Sequence, residues 1–532
     1  MSKTPKPSRS LTGIAGIVGV ATLISKLFGL VREQAIAAAF GVGSVVNAYA
    51  FAYVIPGFLL ILLGGINGPF HSALVSVLAK RDKSEAAPLV ETVTTLVSGI
   101  LLLVTFVLIF FAGTFIDILA PGLDQATRQL AIQQLQIMAP LALLAGLIGI
   151  GFGTLNAADH YWLPSVSPLF SSLAVIVGLG ILAFTLNGQI DSPQYIQLGS
   201  LVLAGGTLVG AIWQWLAQLV AQWRSGLGTM RLRFNWRIPG VKEVMQVMIP
   251  ATFSSGMLHI NVYTDLYFAS FIPNAAAAMR YANFIALTPL GIISNMILVP
   301  MLPVFSRLAA PEHLPELKVR IRQGLLLCAL TMLPLTAIFI SLSVPIVRII
   351  YERYAFQQEA SEIVAPVLMA YGLGMFFYLG RDVLVRVFYA LGDGETPFRI
   401  SIVNIFLNAI LDYLLVKPFA TPGLILATIG VNITSMIWLL WVLNRRLNGL
   451  PFVEWGLALL GLTGSSVIAG LASWGVSWSL TQWLGTGYLW LQLLQLSLSI
   501  MVAFGIFALF VTRLKLPEVD ILVSRVRQKF VK

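Results

Sequence analysis

Charge is scarce in this sequence. Asp, Glu, Lys and Arg together make up 10% of its 532 residues, whereas a soluble domain carries about 25%, so a solvated globular fold is excluded. Cysteine is almost missing too. The single Cys328 rules out an internal disulfide and any cysteine-based metal cluster. Only four histidines occur, His71, His160, His259 and His313, and they are scattered. No GxSxG, HExxH or Walker-type motif is present, so hydrolase, metalloprotease and P-loop chemistry have no residues to use. Long polar stretches are absent as well, which leaves no room for an ATPase domain. The expectation is a protein that is not an enzyme and that draws on gradients or membrane potential.

What the sequence has instead is apolar length. Hydrophobic residues make up 58% of the chain, and runs of about 20 of them recur throughout, the length of a membrane-crossing helix and not of a barrel strand. The pattern predicts an all-α polytopic membrane protein with 14 transmembrane helices, at about 12–39, 44–78, 88–118, 126–156, 161–187, 196–224, 240–271, 275–307, 317–347, 360–391, 397–417, 421–446, 453–480 and 487–512. The N-terminal apolar run already contains Lys26 and Arg32 and reads as a span, not a cleavable signal peptide. Of the 33 Lys and Arg, 24 fall in loops and tails on one side and 4 on the other, with 5 inside spans. The positive-inside rule therefore predicts that both termini are cytoplasmic. The net charge of +11 then reports loop topology and contact with anionic lipid, not nucleic acid.

The chain also repeats itself. NAYAFAYVIP at 47–56 resembles RYANFIALTP at 280–289, and TLNAADHYWLP at 154–164 resembles YALGDGETP at 389–397. Pro56 to Pro289 and Pro164 to Pro397 share an offset of 233. A duplicated unit of six helices, an even number, gives two parallel lobes, the arrangement that suits alternating access around a midplane site. The expected organisation is an N-terminal lobe at 1–237, a C-terminal lobe at 238–447, and two additional helices with a basic tail at 448–532.

Ionisable residues inside the spans are the functional candidates, because a charge in hydrocarbon costs at least about 2.5–3.5 kcal/mol. Lys26, Arg32 and Glu33 sit in the first span, within SKLFGLVRE at 25–33. Lys26 and Glu33 share a helix face, and Arg32 points about 100° to one side. Arg280 and Asn283 open the eighth span. With Lys26 and Arg32, Arg280 gives a cationic lining that suits a phosphate or diphosphate headgroup; the alternative is interfacial placement near helix ends. A second set is oxygen-rich. Asn404, Asn408 and Asp412 form one stripe of span eleven, Thr428 lies in span twelve and Asp265 in span seven. These hard oxygens fit an alkali cation such as sodium; the alternative is a buried hydrogen-bond network. In span ten, Asp382 and Arg386 at i, i+4 are expected to pair, leaving Arg381 over. Helix breaks are expected at Pro56-Gly57 and Gly64–Pro69 in span two, and at Pro289, Pro300 and Pro303 in span eight.

Several stretches together resemble the MurJ/MviN family of lipid II flippases, within the multidrug/oligosaccharidyl-lipid/polysaccharide exporter superfamily. They are SKLFGLVRE at 25–33, LAPGLD at 119–124, residues 137–168, RYAN at 280–283 and FYALGDGETPFRIS at 388–401. The resemblance covers essentially the whole chain, including the two extra C-terminal helices that twelve-helix drug exporters lack. It implies a monomer in the bacterial plasma (inner) membrane that moves lipid II, an undecaprenyl-diphosphate glycolipid, from the cytoplasmic to the outer leaflet for cell-wall synthesis. It implies a cationic cavity with Lys26, Arg32 and Glu33, and a sodium site at Asp265, Asn408, Asp412 and Thr428 with the Leu424 carbonyl; no other cofactor is implied. Two departures stand out. The family's span-two arginines are replaced by the uncharged Gly57-Phe58-Leu59-Leu60-Ile61, and its span-eight Asp-Arg pair aligns with Asn283-Phe284, with Arg280 one turn earlier. The competing readings are a flippase for an O-antigen or exopolysaccharide precursor, a drug exporter, or a membrane glycosyltransferase. The shortness of the longest outer loop, about 348–360, argues against the last.

Overall fold

Inside a bilayer every backbone N–H and C=O needs a partner within the chain, and this chain meets that demand with helices. A computed structural model describes residues 11–519 apart from 66–67, 79–80, 82, 236, 239 and 258–259. His259 and the basic tails before residue 11 and after residue 519 lie outside the described residues. The chain divides into two compact units, residues 1–277 with 353–356, and residues 278–352 with 357–532.

The first unit begins with α1 (Leu11–Phe40), α2 (Ser44–Gly64), α3 (Pro69–Leu78) and α4 (Lys83–Phe110). It continues with α5 (Ala112–Leu119), α6 (Gln125–Met138), α7 (Leu141–Ala157), α8 (Trp162–Val166) and α9 (Pro168–Thr185). It ends with α10 (Ile196–Arg224), α11 (Val241–Met257) and α12 (Ile260–Ala269). The second unit holds nearly all of α13 (Ala275–Arg307), then α14 (Leu314–Ser341), α15 (Ser343–Tyr351), α16 (Gln358–Ala390), α17 (Glu395–Arg446), α18 (Phe452–Leu484) and α19 (Leu489–Arg513). Among the described residues, eleven helical stretches are long and apolar enough to cross a membrane. One of them, α17, turns at Ala420 (φ 50°) and so supplies two legs. With the 30-residue α1 and the pair α11–α12, the set is consistent with fourteen spans.

The repeat is written in the backbone as well as in the sequence. Positive φ occurs at Gly41 and Asn274, at Asp159 and Gly392, and at Asn187 and Ala420. Each pair is 233 residues apart, the offset of the proline motifs. Left-handed backbone costs a non-glycine residue about 1–2 kcal/mol, so three such turns in register mark equivalent corners of two copies. No side-chain identity is shared at any of the three pairs.

The expected helix breaks are only partly present. α2 runs straight through Pro56-Gly57 and ends at Gly64. Gly65 and Gly68 follow that end: a Cβ on Gly65 would meet the Ile61 carbonyl oxygen at 2.6 Å and one on Gly68 the Leu62 carbonyl at 2.7 Å. α13 keeps Pro289, Pro300 and Pro303 inside one 33-residue helix. A proline removes one backbone bond but leaves its neighbours', and in an apolar setting those remaining bonds have no alternative partners.

Small residues bring backbones together, as expected where lipid removes the hydrophobic drive between helices. A Cβ on Gly210 of α10 would lie 2.4 Å from Ser171 Cα of α9. In the second unit α18 docks on α14, with Ser466 Oγ donating to the Leu333 carbonyl at 2.6 Å, and α19 docks on α18 through Ser473 Oγ to the Ser499 carbonyl at 2.9 Å. The two C-terminal helices are therefore packed parts of the second unit.

Candidate functional site

The charged stretch of α1 forms a local pair. Arg32 Nη2 and Nε both donate to Glu33 Oε1, at 2.9 and 3.2 Å. The Glu33 side chain is 2% accessible and that of Arg32 25%. Adjacent residues project about 100° apart on a helix, so the Arg32 side chain reaches round α1 to the buried carboxylate. Lys26 shares Glu33's angular position but is exposed. Two turns separate them, and the environment changes between those levels. Near Lys26, Ser25 Oγ donates to the Val166 carbonyl of α8 at 3.4 Å, while Ile36 and Ala37, just past Glu33, are fully buried. The first unit thus offers a partly accessible guanidinium backed by a buried carboxylate.

Arg280 and Asn283 lie one turn apart on α13, both partly buried, and belong to the second unit. Between them Tyr281 is fully buried, its ring 4.9 Å from that of Tyr351, whose hydroxyl donates to the Tyr281 carbonyl at 3.3 Å. That packing fixes the rotation of α13 and with it the direction of Arg280.

The oxygen-rich set is divided. Asp265 is partly buried on α12 in the first unit, whereas Asn408, Asp412, Leu424 and Thr428 are in the second. Asn408 and Asp412 are both fully buried, and Asn408 Nδ2 donates to Asp412 Oδ2 at 2.8 Å. Asn404, one turn earlier and 3% exposed, has a buried Oδ1 without a hydrogen-bond partner. Leu424 is fully buried on the second leg of α17, and Thr428 is partly buried a turn further along. Among the described residues no group of three or more His, Cys, Asp or Glu gathers as a metal-ligand set. The donors in the second unit are amide, carboxylate, hydroxyl and carbonyl oxygens, which fit a hard monovalent ion better than a transition metal.

In α16 the expected pairing changes partner. Asp382 lies 3.5 Å from Arg381, its immediate neighbour, and Arg381 Nε also donates to Ser435 Oγ at 3.2 Å. Ser435 comes from α17, so tertiary packing took Arg381 where helix spacing favoured Arg386. Glu91 of α4, 4% exposed and marked by no motif, accepts from Thr229 and Arg233. A lone carboxylate in an apolar run was the available sign.

Outside the spans, Asp393 holds the start of α17. Thr396 N donates to its Oδ1 at 2.9 Å, and Thr396 Oγ1 and Arg446 Nη1 both donate to Oδ2 at 2.7 Å. Burial alone would raise its carboxyl, but the Thr396 hydrogen bonds and the Arg446 charge outweigh it and hold the pKa below the usual range.

The family model described as lipid II flippase MurJ matches residues 36–494. The chain belongs to the MurJ family. A relative from Synechocystis sp., described as a probable lipid II flippase MurJ, is 65% identical over 530 residues, covering 100% of this chain and 99% of the relative. The lipid II flippase MurJ of Burkholderia cenocepacia is 26% identical over 483 residues, covering 88% and 89%. A MurJ structure in an inward closed conformation superposes with a TM-score of 0.75 at 22% identity, covering 93% of this chain and 99% of that one, and so shares the fold. An inward-facing multidrug resistance MATE family transporter of the MOP superfamily shares the fold more loosely, with a TM-score of 0.59 at 17% identity over 82% of this chain and 98% of that one. Membership of the MurJ family places this chain among multi-pass membrane transporters, not enzymes.

Proposed function

We propose that this chain moves lipid II from the inner to the outer leaflet of the bacterial plasma membrane, as a monomer with both termini in the cytoplasm. One observation carries the substrate: the 65% identity, end to end, with a relative described as a probable lipid II flippase. The lobes 1–237 and 238–447 are the bodies that alternate, and 448–532 accompanies the second. In this reading Arg32 grips the diphosphate. Glu33 holds the guanidinium in place and limits the charge that α1 places in the membrane. Lys26, accessible on the same helix, adds a second positive charge; Arg280 and Asn283 of α13 are assigned to the same headgroup. An inward-negative potential favours departure of the anionic headgroup by about 2.3 kcal/mol per charge per 100 mV.

Asn408, Asp412, Thr428 and the Leu424 carbonyl are assigned to sodium, with Asp265 as the carboxylate from α12. The ion, when bound, supplies a positive charge that neutralises Asp412; Asn408 orients that carboxylate. The test is rescue of cells depleted of their own lipid II flippase. The wild-type chain restores growth and Arg32→Ala does not. Absence of rescue by wild-type protein that is present in the membrane overturns the substrate reading.

A further inference from the structure

The linker between α10 and α11 is pinned on one face and apolar on the other. Residues 231–235 form neither helix nor strand, and their side chains divide between contacts on α4 and an exposed set. One side meets α4. Thr229 N and Oγ1 donate to Glu91 Oε1 at 3.0 and 2.9 Å, Arg233 Nε donates to Oε2, and Arg233 N donates to Thr95 Oγ1 at 3.1 Å. Gly228, at φ +111°, lies so close that a Cβ would sit 3.3 Å from the Ala87 carbonyl oxygen. At the far end the Arg81 guanidinium covers Gly240 (φ +98°) and lies 3.7 Å from Glu243. The other side presents Met230, Leu232 and Phe234, which are 46%, 77% and 69% exposed. Trp223, near the end of α10, is 65% exposed as well. Arg224, Arg231 and Arg237 are exposed among them.

This pattern is the reverse of a water-facing loop, which buries its apolar side chains and shows its polar ones. The linker instead satisfies its polar groups on α4 and shows the apolar ones, at the level where α4 begins and α10 ends. We infer that residues 223–235 form a lipid-binding strap that sinks Leu232 and Phe234 into the membrane interface and, together with Arg237, sets Arg224 and Arg231 against anionic phospholipid headgroups. Charge complementarity selects anionic lipid, since Glu243 is the sole acid in residues 221–243. The exposed Leu232 and Phe234 select a membrane lipid over free phosphate, which has no use for them. The strap binds bulk lipid and is independent of the headgroup site in α1.

The test uses the full-length protein in nanodiscs, with an environment-sensitive fluorophore on Leu232→Cys. Cys328 is fully buried, so the new thiol is the one that reacts. In discs containing phosphatidylglycerol the probe should emit as in a low-polarity medium and be quenched by lipids spin-labelled near the headgroup. Replacing Arg231 and Arg237 by Gln should raise the phosphatidylglycerol fraction needed for half-maximal quenching by about 25-fold, about fivefold per charge. Glu91→Gln, which removes the anchor and no lipid contact, should reduce quenching at every lipid composition. Water-like, unquenched emission in all discs overturns the strap, and so does equal quenching in neutral and anionic discs or loss of the effect on adding inorganic phosphate. The assay contains no lipid II, so its failure leaves the transport reading intact, and failed cell rescue leaves the strap intact.

Discussion

If Arg32 acts on the diphosphate and Glu33 acts only through Arg32, the two residues should not contribute independently. The perturbation is a cycle of Arg32→Gln, Glu33→Gln and the double variant. Both Arg32 nitrogens reach one oxygen, Glu33 Oε1, at 2.9 and 3.2 Å, so the pair is less than a fully bidentate fork. A charge-assisted hydrogen bond is worth about 1.5–3 kcal/mol, and the 25% accessibility of Arg32 favours the middle of that range. Losing Arg32 should therefore cost about 2 kcal/mol of headgroup affinity, about thirtyfold in Kd. Glu33→Gln should cost less, because an amide oxygen still accepts from Arg32. The double variant should be no worse than Arg32→Gln alone, since Glu33 then has no guanidinium to position. The assay is lipid II binding to purified protein in nanodiscs, with growth of flippase-depleted cells in parallel. A double variant whose loss equals the product of the two single losses would refute the reasoning, because Glu33 would then act by a separate route.

Three further outcomes are expected. Asp412→Asn should abolish any sodium dependence of transport while leaving lipid II binding within about threefold; unchanged sodium dependence removes Asp412 from the ion site. Asp393→Ala should lower stability at pH 7 by about 1–2 kcal/mol, as loss of a side chain that accepts from the first turn of a helix does. Because the folded-state pKa of Asp393 is depressed, its contribution is present above about pH 4 and is lost as pH falls through the folded pKa, so melting curves of wild type and variant should converge in acid. Gly41→Val should destabilise the protein by roughly 2–4 kcal/mol: φ there is +55°, and a Cβ would lie 2.5 Å from the Ala355 carbonyl oxygen. Gly41→Ala should cost less, as melting temperatures would show.

What could be read from the chain alone followed from rules that act locally or statistically. The helical class comes from the cost of unsatisfied backbone in hydrocarbon, which the run lengths report directly. The repeat was visible in two proline motifs because covalent order survives duplication. Lys26, Arg32, Glu33 and Asp412 stood out because a charge in an apolar run is costly wherever it ends up. Helix breaks were less legible. Proline marks a lost hydrogen bond, but whether the helix stops, as α2 does at Gly64, or continues, as through Pro289, depends on what packs beside it.

The tertiary structure decided the partners. Helix spacing offered Arg386 to Asp382, but Ser435 on a different helix draws Arg381 instead, a contact that no periodicity along α16 encodes. Glu91 looked like one more acid near a span end until the chain, 138 residues later, laid Thr229 across it. Composition and order determined that this chain crosses the membrane many times as two copies of one unit, because hydrophobic length and covalent repetition are properties of the chain itself. Which side chains hold one another across those helices was decided only on packing, because hydrogen bonds and ion pairs act over a few ångströms and distant residues meet only when the helices do.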